Sequence, residues 1–186
     1  VEASEGEVLA ALEGEEERVS VAGVNGPRQT VVSGDAEAVA KVEQRLAKQG
    51  HRTRRLRVSH AFHSAHMEPM LAELGEVGRS CVHGKPGIAL VSLVTGGVAG
   101  AEELKGDYWV KQARRGVRFA EGMATLQSLG VRHYLECGPD GVLTGLAAGC
   151  VSDEAVGLVS SQRKGRGEVE SLMRAVGELH VNGVEL

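Results

Sequence analysis

The sequence predicts an α/β chain with two lobes, and three observations support this prediction. Its 186 residues are enough for one medium domain or two small lobes. A hydrophobic content of 42% can form a packed core, and because aromatic residues make up only 3%, this core must consist mostly of Val, Leu and Ala. Segments with strand patterns alternate with segments of helical periodicity, which is typical of sheets covered by helices.

Residues 1–58 are predicted to form the first lobe. A capping-box pattern that begins at Ser4 precedes a short helix. The segments "RVSVAGVN" and "TVVSG" read as two strands joined by an Asn-Gly-Pro turn, and Asp35 caps a second helix. "TRRLRVS" reads as a further strand. This order matches a βαββαβ unit whose first strand lies at or before Val1, so we expect a ferredoxin-like lobe with an incomplete first strand.

Residues 59–186 are predicted to alternate between helices and strands. Apolar stripes at helical spacing begin at Met67, Phe119 and Val169, and a small helix is expected at residues 142–146. The segments "GIALVSLVTG", "RHYLECGPDG" and "AVGLVSSQ" are predicted to be strands, the first of them buried. Together they indicate a parallel sheet.

Charge and cysteine usage exclude several classes of protein. A net charge of −4 argues against a general nucleic-acid binder. No apolar run reaches membrane-spanning length and no signal-peptide pattern opens the chain, so we expect no membrane partner and a cytoplasmic location. Cys81, Cys137 and Cys150 are odd in number and widely spaced, which favours reduced thiols over a disulfide framework.

The segment "VSHAFHSAHM" places His60, His63 and His66 at three-residue intervals. One helix face could present all three to a metal, but no second His/Cys cluster lies nearby in sequence, so we predict no metal site. Surface or packing roles are a second interpretation. The third is catalytic, because the run follows a predicted strand and precedes a helix, where a neutral histidine can accept a proton from a hydroxyl nucleophile.

Four segments together resemble one family: "VNGPRQTVVSGD", "RLRVSHAFHSAHMEPML", "DYWVKQARRGVRFAEG" and "LECGPDGVLTGL". They are similar in order and spacing to the acyltransferase domain of modular type I polyketide synthases, within the malonyl-CoA:acyl-carrier-protein transacylase superfamily. The likeness runs to about Leu186 and covers the C-terminal portion of that domain. It implies that residues 59–186 are the C-terminal part of an α/β-hydrolase-like subdomain.

The resemblance also implies roles for individual residues. His63, the last residue of the His-Ala-Phe-His motif, would activate a serine that attacks the thioester of malonyl-CoA. Phe62 marks malonyl-selective members, since a phenyl ring leaves less room for a methyl branch. The backbone carbonyl of Gln112, where polyketide members often carry His, would orient His63. His60 would shape the pocket, and Asn25 would line it, although Asn25 before Gly-Pro is equally a turn residue.

No G-x-S-x-G nucleophile motif occurs in the sequence. In the family, this serine, the carboxylate-binding arginine and the oxyanion donors lie upstream of the matching portion. We therefore expect a fragment that holds the catalytic base and is inactive alone. The expected partners are malonyl-CoA, a carrier protein bearing phosphopantetheine, the missing N-terminal part of the domain, and the neighbouring ketosynthase and linker of the same polypeptide. No bound cofactor is expected.

Two other functions remain open at this point. The chain could be a non-catalytic scaffold or docking piece of a synthase, or a free-standing malonyl transacylase of fatty-acid synthesis. Its arginine groups, residues 52–57 and 114–118, are either solvated edges or charges that steer CoA phosphates and an acidic carrier protein. The segment "QRKGRGE" at residues 162–168 is predicted to be a solvated loop.

Overall fold

The computed structural model describes residues 1–152 and 157–185. The chain divides into two compact units, Val1–Gly122 and Met123–Leu186. The helices are α1 (Glu5–Ala11), α2 (Ala36–Lys48), α3 (Glu68–Ser80), α4 (Gly106–Arg114), α5 (Phe119–Ser128), α6 (Val142–Ala147) and α7 (Glu168–Val181), and a 3₁₀ helix spans Ala65–Met67. The strands are β1 (Val19–Gly26), β2 (Gln29–Gly34), β3 (His133–Glu136) and β4 (Gly157–Ser160).

The first unit begins with an antiparallel hairpin, β1–β2, packed with α1 and α2. The predicted helix starts are confirmed: Ser4 forms a full capping box with Glu7, and the Asp35 carboxylate accepts from the N–H groups of Glu37 and Ala38. The Ala38 N–H bond is the main reason that the pKa of Asp35 is lowered. The core between these elements is fully buried and mostly aliphatic, as the composition predicts, and includes Val8, Val19, Val42 and Leu46.

The start of the chain runs beside β2. Val1 and Thr30 exchange two backbone hydrogen bonds of 2.9 and 3.1 Å, and the Glu2 N–H donates to the Arg52 carbonyl at 2.9 Å. The first residues therefore lie in an extended pairing, as expected for the end of a strand. The strand predicted over residues 53–59 is wrong, because that segment carries no regular structure. A strand needs a backbone partner along its length, and no described residue supplies one there.

Helices α3 and α4 pack closely through glycines. A Cβ at Gly78 would lie 2.8 Å from the Gly106 carbonyl oxygen, so only glycine permits this approach. The helix predicted from Met67 is confirmed as the 3₁₀ helix followed by α3, whereas α4 was not predicted. The predicted buried strand over "GIALVSLVTG" is wrong: Ile88 is 87% exposed, and only Val91 forms an isolated bridge, with Val98. A buried strand needs covered faces and a paired backbone, whereas residues 87–90 are exposed and burial is confined to later residues such as Ser92 and Val94.

The second unit contains the predicted parallel pairing. β3 and β4 run parallel, from the His133–Gly157 pair to the Glu136–Ser160 pair. Helix α7 covers β4 through Val159, Ala175 and Leu179. β3 and β4 confirm the strands predicted in "RHYLECGPDG" and "AVGLVSSQ". Helices α6 and α7 confirm the helices predicted from residues 142 and 169. The predicted strand "AVGLVSSQ" begins with two residues that lie outside the described part of the chain.

Candidate active site

His63 has an unusual backbone conformation. Its φ angle is 59°, the left-handed region, and it is the only non-glycine residue with positive φ in the described chain. A side chain with a Cβ pays about 1–2 kcal/mol to adopt that conformation. Such a residue persists only where its surroundings hold it, and strained residues of this kind cluster at functional sites.

Ser64 holds the turn that places His63. Its side chain is fully buried, and its Oγ donates to the Ala61 carbonyl at 2.6 Å and accepts from the His66 N–H at 3.2 Å. The Ser64 carbonyl also accepts from the Met67 N–H at 3.1 Å, which starts the 3₁₀ helix. These bonds fix the backbone on the C-terminal side of His63, so its ring direction is set by the local fold.

The His63 ring leaves one polar atom unsatisfied. Its Nδ1 is buried and has no hydrogen-bond partner within the described part of the chain. A buried ring nitrogen without a partner costs about 1–3 kcal/mol, which few native sites tolerate without a reason. The predicted bond between His63 and the Gln112 backbone carbonyl is thus not formed through Nδ1 in this structure.

The backbone carbonyl of Gln112 is an open acceptor in the last turn of α4. Helix ends leave their final carbonyls without intrahelical donors. The cap bond of α4 runs from the Arg115 N–H to the Lys111 carbonyl at 2.8 Å, and no described residue donates to the carbonyl of Gln112. The unit therefore contains a buried donor-capable ring nitrogen at His63 and an unused acceptor at Gln112, and α4 contacts the 3₁₀ helix that follows His63.

Two sets of contacts hold this turn of α4 in place. Ser92, which is 1% exposed, donates through Oγ to the Tyr108 hydroxyl at 3.2 Å, and that hydroxyl donates to Oε1 of Gln112 at 3.4 Å. Arg114 Nε donates to the Glu68 carboxylate at 2.5 Å, which ties the end of α4 to the start of α3. The Gln112 side chain thus accepts a hydrogen bond within its own helix, and its backbone carbonyl stays available as an acceptor for another donor.

His60 and Phe62 lie together on the other side of the turn. Their ring centroids are 5.8 Å apart with planes tilted by 51°, and Phe62 is 54% exposed. Nδ1 of His60 is 2.9 Å from Oγ of Ser59. Both side chains are exposed, and their contact with a substrate stays a prediction.

Asn25 lies near the end of β1, and its Oδ1 lies over Gly23, 3.4 Å from the position a Cβ would take there. Gly23 forms a parallel bridge with Val117, and the Val24 N–H donates to the Val117 carbonyl at 2.8 Å. This bridge connects the hairpin to the segment that follows α4. The structure thereby places Asn25 on the strand that pairs with Val117, in the segment that follows α4.

Two of the three arginines at residues 114–118, Arg114 and Arg118, form internal ion pairs. Arg118 forms a two-pronged pair with Glu5, at 2.6 and 3.0 Å, and also contacts Glu121. The Glu5 hydrogen bonds raise the pKa of Arg118 further above its usual range. Arg118 therefore connects α1 to α5 and is not available for steering, whereas Arg115 is exposed.

Some residues of the site were missed at the sequence level. Ser64 could have been recognised as a serine cap that precedes a helix, and Tyr108 stands four residues before the predicted site residue Gln112, at the i, i+4 spacing of a helix face. No local sequence pattern indicated that Ser92 would contact Tyr108. Within the described residues, no group of three or more His, Cys, Asp or Glu side chains could hold a metal ion, and no helix is long and apolar enough to cross a membrane.

Comparison with known proteins identifies the family. The family model described as "Acyl transferase domain" matches residues 3–186. The chain is 45% identical over 188 residues to the polyketide synthase GfsA of Streptomyces halstedii, with 99% of this chain and 2% of that protein covered. It is 42% identical to the phenolphthiocerol synthesis polyketide synthase type I Pks15/1 of Mycobacterium marinum, with 100% of this chain and 9% of that protein covered.

Comparison with solved structures supports the same family. The acyltransferase domain from the second module of the salinomycin polyketide synthase superposes with a TM-score of 0.95 at 43% identity, covering 99% of this chain and 43% of that chain. A malonyl-transacylase in complex with a type II polyketide acyl-carrier protein gives a TM-score of 0.80 at 28% identity, covering 94% of this chain and 55% of that one. The chain thus spans less than two thirds of each of these relatives. It belongs to the acyl transferase domain family and matches the acyltransferase domains of modular polyketide synthases.

Proposed function

We propose that this chain supplies the general base of an acyltransferase domain that moves a malonyl unit from malonyl-CoA to an acyl carrier protein. The transfer proceeds in two halves. A serine attacks the malonyl thioester and releases CoA, and the phosphopantetheine thiol of the carrier then takes the malonyl group from the serine.

His63 is the base in both halves, and the observation that carries this assignment is its strained backbone together with its buried, unpartnered Nδ1. A hydrogen bond from Nδ1–H to the Gln112 carbonyl would satisfy both groups. It would also fix the tautomer in which Nε2 is the proton acceptor. Nε2 then takes the serine proton during attack on malonyl-CoA and returns it to the departing CoA thiolate. In the second half it takes the proton of the carrier thiol and returns it to the serine.

The nucleophile is supplied by sequence outside these 186 residues. No G-x-S-x-G motif is present, and Ser64, the serine next to His63, lies in a hydrogen-bonded turn. Ser64 and Ser92 are buried and hydrogen-bonded, and Ser59 is exposed beside His60. The chain by itself therefore forms no acyl-serine, and it acts when combined with the remainder of an acyltransferase domain.

Phe62 contributes to the choice of a malonyl unit over a methyl-branched one. Its half-exposed ring adjoins His63 in sequence, and in the proposed complex it would border the acyl Cα. One methyl group changes binding by about 1–3 kcal/mol, so Phe62→Ser is expected to relax the preference and not to reverse it. The measurement is the ratio of malonyl to methylmalonyl loading in a competition assay. An unchanged ratio would place selectivity in other residues.

An acyl carrier protein is the proposed partner, since one related malonyl-transacylase has been solved in complex with such a carrier. In a polyketide synthase the neighbouring partners would be the ketosynthase and its linker, in the cytoplasm. Malonyl-CoA is the substrate, and the mechanism requires no resident cofactor.

Intact-protein mass spectrometry after mixing with malonyl-CoA tests the proposal. The chain alone and the chain joined to the N-terminal part of a modular acyltransferase domain are compared. A malonyl adduct only on the joined form supports the proposed function. An adduct on neither favours a non-catalytic scaffold, which the missing nucleophile motif already makes the second candidate. An adduct on the chain alone would contradict the assignment of the nucleophile and would direct attention to Ser59.

A further inference from the structure

The second unit contains a cavity that the proposed acyl transfer does not use. It has a volume of about 470 Å³ and lies beside Ser160, the last residue of β4, and the loop that leads into α7. Asp140, in the loop after β3, lines it as well. β3 and β4 are parallel, so the cavity lies at the carboxyl edge of the strands, where open α/β sheets bind ligands.

Four cationic side chains line this cavity: Arg163, Lys164, Arg166 and Arg174. Two carboxylates, Asp140 and Glu178, also line it, which leaves a formal excess of two positive charges. None of the four cations forms an ion pair with a residue in the described ranges, 1–152 and 157–185. Their charge is therefore not neutralised by the described fold, although carboxylates are close by.

The loop before α7 contains a tight turn that carries two of these cations, Arg163 and Arg166. The Arg166 N–H donates to the Arg163 carbonyl at 3.1 Å, and Gly165 between them has a φ of 83°, which a glycine adopts without strain. Opposite this turn, the Arg163 guanidinium lies against Gly141. A Cβ at Gly141 would come within 2.5 Å of its central carbon. The arginine head is thus placed over a backbone position that has no side chain.

A buried hydroxyl in the same cavity has no partner. Ser171, on the first turns of α7, is 4% exposed and lines the cavity, and its Oγ forms no hydrogen bond with any described residue. A hydroxyl in this position can donate to a ligand oxygen, and it costs stability while it remains unsatisfied. This observation is independent of the cations and points in the same direction, toward an acceptor-rich anion.

We infer that this cavity is a binding site for a phosphate group. Phosphate offers several acceptor oxygens and at least one negative charge, which match arginine forks and a donor hydroxyl. The same chemistry is carried by free phosphate and by the phosphates of a nucleotide such as the adenosine bisphosphate half of CoA. The inference does not depend on His63 or on acyl transfer.

Calorimetric titration of the 186-residue chain tests the site with two probes, inorganic phosphate and adenosine 3′,5′-bisphosphate. Saturable binding of both with similar affinity identifies free phosphate as a sufficient ligand, and markedly tighter binding of the bisphosphate identifies the nucleotide. Binding is expected to weaken as salt is added, because the cations are exposed. Absence of saturable binding by both probes at low salt would overturn the inference.

Substitutions of the lining residues test whether phosphate binds in this cavity. Arg163→Gln and Arg174→Gln are each expected to weaken binding about tenfold, as for loss of a charge-assisted hydrogen bond. Gly141→Ala leaves every charge in place but displaces the Arg163 head, so it should weaken binding as well. Arg54→Gln, an exposed arginine in the first unit, is the control with the same change of charge. An equal loss in Arg54→Gln would show non-specific attraction and refute the site.

Ser171→Ala separates ligand binding from damage to the fold. Removing an unsatisfied buried hydroxyl should leave the unliganded chain at least as stable in urea, while phosphate binding weakens several-fold. A variant that is equally stable and binds phosphate as tightly as the parent chain would contradict the role of Ser171.

Discussion

Replacement of His63 by glycine and by alanine should reverse the usual order of these two residues. Alanine keeps a Cβ and therefore keeps the cost of the left-handed backbone, about 1–2 kcal/mol, whereas glycine does not. Glycine gains more freedom in the unfolded chain, which offsets about 0.5–1 kcal/mol. Both substitutions remove the imidazole and its unpartnered Nδ1, so these terms cancel in the comparison. We expect the His63→Gly variant to be more stable than His63→Ala by roughly 0.5–1 kcal/mol.

The matched control is Gln44, an exposed residue in the interior of α2. At that position Gln44→Ala should be more stable than Gln44→Gly by about 0.8–1 kcal/mol, the ordinary helix difference. The assay is urea unfolding followed by circular dichroism, in which midpoints are compared at equal slope. If alanine is the more stable substitution at position 63 as well as at position 44, the claim that the fold holds His63 in a strained conformation is refuted.

Three further perturbations test the fold around the site. Gly34→Ala should destabilise the chain by roughly 3 kcal/mol or more, because φ is 154° and a Cβ would lie 2.0 Å from the Arg18 carbonyl oxygen. Gly6→Ala, in open space on α1, should stabilise the chain by about 0.5–1 kcal/mol. If the two substitutions shifted the urea midpoint in the same direction, this reasoning would be contradicted. Ser64→Ala should cost about 1–2 kcal/mol, since the turn after His63 loses two side-chain hydrogen bonds, and an unchanged midpoint would show that the turn holds without them. Asp35 has a lowered pKa, so its ionised form stabilises the fold above the ordinary aspartate pKa of about 3.9, and this stability is lost as the pH falls through the folded-state pKa. Asp35→Asn should therefore flatten the fall in urea midpoint below about pH 4, and an equally steep fall would assign acid sensitivity to other carboxylates.

Elements whose contacts are local were predictable from the sequence. The capping box at Ser4, the cap at Asp35 and the apolar stripe from Val169 each act within a few residues, and each predicted helix is present. The family resemblance, carried by four motifs, was confirmed by the match over residues 3–186.

Two predicted strands and helix α4 depend on distant contacts, and these elements were not predicted correctly. The segments at residues 53–59 and 87–96 have strand composition, yet a strand exists only where another backbone accepts its hydrogen bonds. Helix α4 was missed because "DYWV" carries strand-favouring aromatic and β-branched residues, while its packing on α3 depends on Gly78 and Gly106. At the site, the left-handed backbone of His63 follows from the buried Ser64 turn and has no counterpart in composition or periodicity.

The rate of malonyl-serine formation tests the central claim most directly. It is measured by rapid quench and intact mass in the chain joined to the N-terminal part of an acyltransferase domain, with His63→Ala compared with the parent and with Gln112→Ala. A general base contributes about 10²–10⁴-fold, so His63→Ala should load malonyl slower by that factor. Gln112→Ala keeps its backbone carbonyl and should load at nearly the parental rate. Near-normal loading by His63→Ala, in a variant that remains folded, would contradict the assignment of His63 as the base.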